Sequence, residues 1–381
     1  MYTLFQAASK LYHCLADPLS KELFLARLRY DLQPDEAGKR NLERFYSEQS
    51  RRYASGTITN LIDTKKEMLM SLRNRTEKII LYGTSGNSIA LADKMREFGI
   101  GFFGFCGRRA QDFPDGILDK PVFSPEWLVE HQSEIYILVT VTNLHGSCDE
   151  ILRYLQERSF PEERVLAPFE GVRGAENPQY FEFPDLFIPG TAFVDGGALD
   201  GRDSIRFAKA CGGNYSKIYA FEPDPDSAKR CEYYLGKAAL PRVEVVQAAL
   251  SDSRGSVDFL ASSDGDSGIL RTYPDDRGKE KGSVLLIDSV TIDEVLGSEI
   301  CGFIKLDIEG GELSALHGAM HTIVRDRPFM ALCVYHKPGD VLAIMDYVHQ
   351  LVPEYRFYLR QYAPAPGETV LYASVGIPGG G

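Results

Sequence analysis

The sequence contains no run of about 18 apolar residues, the length a membrane-spanning helix requires; its longest candidate is the short stretch 135–141. Residues 1–17 lack the basic-then-apolar pattern of a signal peptide. Seven cysteines (Cys14, Cys106, Cys148, Cys211, Cys231, Cys301 and Cys333) include no C-x-x-C pair. That excludes the usual zinc and dithiol patterns and leaves reduced, buried thiols as the expectation. Cations are in deficit, with 42 Lys and Arg against 54 Asp and Glu, a net charge of −12. Phosphate backbones are held chiefly by Lys and Arg, so nucleic acid is not expected as the main partner. These absences describe a cytoplasmic protein without a membrane span. Also missing, despite 35 glycines, is a complete G-x-G-x-x-G.

Hydrophobic residues are 44% of the 381, enough for sizeable cores and about two domains, or three if one is small. Residues 1–75 read as a helical cap or subunit contact, a candidate surface for homo-oligomers. Asp17-Pro18 is a helix start, with Asp at the N-cap and Pro at the first helical position, and Leu19, Leu23, Leu25, Leu28 and Leu32 supply an apolar face. Pro34 ends this helix, and a second helical stretch over 41–74 is interrupted near Gly56. From 76 to 168, short apolar runs alternate with helical segments, the pattern of a small doubly wound, Rossmann-like α/β domain. The connection 169–190 carries Tyr180, Phe181, Phe183 and Phe187, too many aromatics for a free linker. A second β/α alternation fills 191–376, with an antiparallel insert near 256–290, and 377–381 forms a flexible tail.

Two strand-to-helix turns carry glycines. In the first, Gly83-Thr84-Ser85-Gly86-Asn87-Ser88, serines occupy the second and third fingerprint positions, and the next strand ends in Arg108-Arg109 where an acid would hold a ribose. A tight turn with solvated cations is the favoured reading. The second, Asp195-Gly196-Gly197-Ala198-Leu199-Asp200-Gly201, places an acid at the strand tip. Its glycines admit close backbone approach, and Asp195 suits an ammonium or sulfonium better than a pyrophosphate. Glu222, before Pro223, lies 21 residues past Gly201, where a carboxylate accepts from ribose hydroxyls. Ser251-Asp252, at a third strand tip, is placed to line an adenine pocket.

The densest chemistry is Lys305-Leu306-Asp307-Ile308-Glu309. Alternation sets Lys305, Asp307 and Glu309 on one side of a strand, and such a row should open onto the crevice rather than be buried. The following helix is expected to bury Leu313, Leu316, Met320 and Ile323. His336 at the next strand tip is a candidate proton acceptor near neutrality, while His317 reads as structural.

FVDGGALDGRDS (193–204), IYAFEPDP (218–225), VVQAALSD (245–252), FIKLDIEGGELSALHGA (303–319) and VYHKPGD (334–340) together resemble the FkbM-type S-adenosylmethionine-dependent methyltransferases over roughly 176–375. The resemblance implies a class I methyltransferase fold, a seven-stranded, mostly parallel sheet with an antiparallel last strand, and O-methylation of a hydroxyl on a sugar, glycan or other small molecule. It assigns S-adenosylmethionine to Asp195, Gly196, Gly197, Gly201, Glu222, Pro223, Ser251 and Asp252. Asp307 or His336 is then the candidate base, with Lys305 and Glu309 orienting the acceptor. No metal site is assigned; a divalent cation between Asp307 and Glu309 lacks a second carboxylate cluster. Two other readings stand beside this one: a nicotinamide-dependent sugar oxidoreductase or epimerase using the Gly83 domain, and a non-catalytic binding protein with a degenerate methyltransferase domain.

Overall fold

The computed structural model describes residues 2–53, 62–108, 110–141, 147–169, 178–261, 268–269, 283–363 and 367–376. Arg109, the tail 377–381, Gly56 and most of the insert 253–282 lie outside the described residues. The chain divides into two compact units, residues 43–178 and a larger one assembled from 1–42 and 179–381. This replaces the expected boundary at 75. The first helices belong with the C-terminal half, and the connection from Gln179 onward does too. No helix among the described residues is long and apolar enough to cross a membrane.

The smaller unit is a five-stranded sheet, parallel at every pairing, in the spatial order 122–123, 104–106, 78–82, 135–139, 165–166. Alternation along Lys78–Tyr82 sends Ile79 and Leu81 into one apolar cluster and Ile80 and Tyr82 into another. Both faces are thus covered, as a parallel sheet requires.

The larger unit carries a seven-stranded sheet in the order 356–361, 369–374, 329–333, 301–306, 192–196, 218–221, 243–246. Thr369–Ser374 runs antiparallel to both neighbours and the other pairings are parallel. This is the expected class I methyltransferase-like architecture. A second, small sheet is built on the hairpin of Gly255–Ala261 with Ser283–Val290. At the centre, Phe193 stacks on Phe207 at 4.2 Å, and Phe187 of the connection stacks on Phe303 at 4.9 Å. Such pairs each add about 0.5 to 1.5 kcal/mol beyond area burial, which explains why the connection could not be a free linker.

The helix Pro18–Leu32 packs along the edge strand Arg356–Gln361. Leu15 bridges Phe357, covering backbone groups that an open edge would expose. The expected leucine face is only partly correct. Leu23 is buried but Leu25 and Leu32 are exposed, because the inward face uses Ser20 and Arg27 to bond the sheet. Ser20 Oγ accepts from Leu359 N at 2.9 Å. Arg27 donates to Asp31 at 2.9 Å, Thr369 Oγ1 at 3.3 Å and the Tyr335 carbonyl at 3.4 Å. Asp31 in turn accepts from Gly339 N. The helix therefore braces the loop that carries His336.

Asp17 caps this helix, accepting from Ser20 N at 2.7 Å, and pairs with buried Arg360 at 2.8 Å. Burial opposes its ionisation, but Arg360 outweighs burial and holds the carboxyl below the usual value. The stabilisation is therefore complete above the unfolded value of about 3.9 and is lost as pH falls through the lower folded one. Asp17→Ala should cost about 2 to 3 kcal/mol at pH 7 in urea unfolding of the larger unit, with the gap to wild type narrowing at pH 3. Equal stability at pH 7 would show that helix docking does not depend on the pair.

Candidate active site

The parallel register aligns Gly196 with Phe221 and with Leu306, so the tips of these strands form one edge. Residues following them build the site.

Ala192–Gly196 is buried throughout and ends in a loop that only glycine accommodates at two points. Gly197 has φ +74°, and a Cβ there would lie 1.9 Å from the Asp307 carbonyl. Gly201 has φ +76°, precedes the helix Arg202–Ala210, and a Cβ there would press on Leu235. The loop thus lies directly on the backbone of the fourth strand tip.

Asp195, expected to present free negative charge, is instead fully buried. It accepts from Ser204 Oγ at 2.7 Å and from Lys305 Nζ at 3.1 Å. Lys305 is 1% exposed and spends its remaining donors on the Gly196 and Gly197 carbonyls, at 3.1 and 2.8 Å. Burial disfavours its charge, but Asp195, Asp203 and Asp307 more than offset this and hold its pKa well above the ordinary value. Lys305 is therefore a positioning residue beneath the loop. The expectation that it faces the acceptor is corrected, because an ammonium has three donors and all are taken.

The charged row breaks up for a backbone reason. The strand ends at Leu306, and Glu309 has φ +52°, so alternation does not extend past the tip. Asp307 turns toward two tyrosines: Tyr180 Oη donates at 2.7 Å and Tyr335 Oη at 3.2 Å. Burial raises its pKa, but Lys305, His336 and the Tyr180 hydrogen bond prevail and hold it below the ordinary value. Glu309 is exposed at 38% and lies 3.4 Å from His336 Nε2.

His336 has only 7% of its side chain exposed. Nε2 is 3.5 Å from Asp307, and Nδ1 is 2.9 Å from Glu312 Oε1. Burial alone would depress the ring, but Glu312, Asp307 and Glu309 outweigh it and push the pKa up to about 9. These carboxylates favour the protonated ring over the neutral one. Glu312 was quoted in the motif without a role; its Oε1 accepts from Ile308 N at 2.9 Å and shapes the turn. Donor atoms of Asp307, Glu312 and His336 lie within 4.8 Å of one another.

At the tip of the neighbouring strand, Glu222 is 6% exposed and accepts from Leu199 N at 2.8 Å and Asp224 N at 3.0 Å. Burial raises its pKa, with these N–H groups opposing. Pro223 is half-buried and brings Asp224 to cap the next helix. Ser251 is nearly buried, and Asp252 N donates to Ser314 Oγ at 3.3 Å. Gly318 permits this contact, since a Cβ there would meet the Ser251 carbonyl at 2.0 Å. Gly318 also divides the expected helix into Glu312–His317 and Met320–Asp326, leaving Met320 exposed rather than buried.

Tyr180 and Tyr335 carried no expected role. Tyr180 sits at φ +68°, a costly conformation for a tyrosine, with its amide donating to Tyr372 Oη at 2.9 Å. No local signal marks it, because its partner is 127 positions away. In the smaller unit, Gly83 makes room for its own chain, since a Cβ would strike Thr140 and Ser88, whose hydroxyls bond at 2.6 Å. Arg108 pairs with Glu150 at the surface.

Lys305→Met should cost about 3 to 5 kcal/mol, because it leaves Asp195 buried and unpaired. Adding Asp195→Leu should restore part of that loss, since replacing both members of a buried pair is far milder than breaking it. Urea unfolding of the single and double variants measures this, and strictly additive losses would refute the coupling.

Residues 195–362 match the family described as the Methyltransferase FkbM domain. The chain is 29% identical over 203 residues to the 2-O-methyltransferase NoeI of Sinorhizobium fredii, covering 47% of this chain and 79% of that protein. It is 30% identical over 145 residues to the AMB antimetabolite synthetase AmbE of Pseudomonas aeruginosa, covering 33% of this chain and 7% of that one. Among solved structures it is similar to the methyltransferase FkbM of Methylobacillus flagellatus, at 18% identity and a TM-score of 0.39, covering 83% of this chain and 98% of the other. The glycine loop, Glu222, Asp307 and His336 all fall inside the segment that matches the Methyltransferase FkbM domain.

Proposed function

We propose that the larger unit transfers the methyl group of S-adenosylmethionine to a hydroxyl of a sugar, glycan or other small molecule. The observation that carries this reading is the alignment on one sheet edge of the Asp195–Gly201 loop and Glu222 with Asp307. The name of the relative NoeI, a 2-O-methyltransferase, supports the hydroxyl as acceptor.

The donor set fits such a cofactor. Glu222 is held by one backbone N–H on each oxygen, leaving lone pairs for a ribose diol. Lys305, beneath the loop, is consumed internally and offers nothing to a pyrophosphate. When bound, S-adenosylmethionine supplies a methyl group already activated by a cationic sulfur. The protein's task is then to align the acceptor and take its proton. Asp307, fixed by two tyrosines, can accept the acceptor's O–H and receive the proton as the new C–O bond forms. Its lowered basicity does not prevent this, because a hydroxyl becoming an oxonium is a strong acid. The cationic His336 beside it keeps Asp307 ionised.

Calorimetric titration should show saturable S-adenosylhomocysteine binding, no response to NAD, and an affinity at least tenfold weaker in Glu222→Ala. A response to NAD alone would overturn the reading. With methyl-labelled cofactor and mass spectrometry of glycan and metabolite acceptors, Asp307→Asn should lower turnover by about 10² to 10⁴ while keeping S-adenosylhomocysteine affinity. Unimpaired turnover would remove Asp307 from proton transfer.

A further inference from the structure

The Asp307 cluster contains more buried polar capacity than the protein satisfies. Glu312 is 1% exposed and His336 has 7% of its side chain exposed, yet Glu312 Oε2 and both ring nitrogens of His336 are buried without a hydrogen-bond partner. Nδ1 approaches Glu312 Oε1 to 2.9 Å as an ion pair, which leaves Glu312 Oε2 and Nε2 to be accounted for. Orphaned buried atoms of this kind are uncommon in native proteins and call for an explanation such as a bound ion. Acceptor and donor types decide which ion. Asp307, Glu309, Glu312 and Asp340 all interact with one imidazole, which concentrates negative charge at the tip of the fourth and fifth strands.

We propose that Asp307, Glu312 and His336 form a divalent-cation site on the acceptor side of the catalytic edge. One ligand atom from each lies within 4.8 Å of the others, a spacing that one ion can bridge. Two carboxylate oxygens with one imidazole nitrogen, the His336 ring giving up its proton as the ion takes its place, suit a first-row ion such as Mn²⁺ better than Ca²⁺, which takes oxygen ligands throughout. Three protein ligands leave coordination positions open for water and an acceptor hydroxyl. A hydroxyl bound there would release its proton to water more readily, with Asp307 then holding the ion and the acceptor's orientation instead of receiving that proton. This catalytic role rests on the hydroxyl-acceptor reading, whereas the site itself does not.

The full-length protein, stripped with a chelator and desalted, is titrated with Mn²⁺ while the electron paramagnetic resonance signal of the free ion is followed. One saturable Mn²⁺ per chain is expected, weakened at least tenfold in His336→Ala and in Asp307→Asn, with S-adenosylhomocysteine affinity retained as the control for folding. Absence of saturable binding by the wild-type protein, or equal binding by both variants, overturns the site. Methyl transfer by the stripped protein is measured in parallel. Turnover unchanged by stripping overturns the catalytic role of a site that still binds Mn²⁺, and loss of cofactor binding in the calorimetry would instead count against the methyltransferase reading.

Discussion

The buried contact between Lys305 and Asp195 is the constraint on which the catalytic edge depends. An ion pair with 1% and 0% side-chain exposure must recover a desolvation cost of several kcal/mol per charge. It does so by saturation: Ser204 completes Asp195, and the Gly196 and Gly197 carbonyls complete Lys305. Those carbonyls belong to the loop itself, so one ammonium sets the path of the backbone between strand and helix. The same loop touches the Asp307 carbonyl through Gly197. The distance between the glycine loop and the Asp307 strand tip is therefore set by buried electrostatics rather than by surface groups.

Charge on this edge is layered. Cationic Lys305 lies inside, neutralised and inaccessible, while carboxylates gather outside it around His336. Tyr180 joins the layers, its hydroxyl on Asp307 and its ring 5.2 Å from the Lys305 ammonium. It comes from the aromatic connection, which is thus a working wall of the site.

Much of this was legible in the sequence, and the failures share a cause. The glycine loop, the Glu222 tip and the succession of strands and helices along the chain follow from local pattern, since each is encoded within a few residues of itself. Lys305, Asp307 and Glu309 were misplaced as a single row because alternation was extended beyond Leu306, where the strand has ended. Met320 was misplaced because Gly318 breaks the helical phase to approach Ser251. Leu25 and Leu32 were misplaced because a helix lying on a strand edge bonds through Ser20 and Arg27 instead of an apolar stripe. Tyr180, Glu312 and the N-terminal brace depend on partners remote in sequence or on a turn, and no periodicity reports them.

That brace has a consequence for synthesis. Asp17 and Arg360 are separated by 343 positions, with the whole smaller unit between them. At roughly 5 to 20 residues per second, the helix Pro18–Leu32 waits on the order of 20 to 70 seconds for its strand to emerge. During that interval Phe24 and Arg27, both buried in the finished protein, have no docking surface. The smaller unit has its own contiguous stretch of chain and can fold meanwhile. The larger unit is closed by strands made after the smaller unit, so the loop carrying His336 gains its support only once Arg356–Gln361 has emerged.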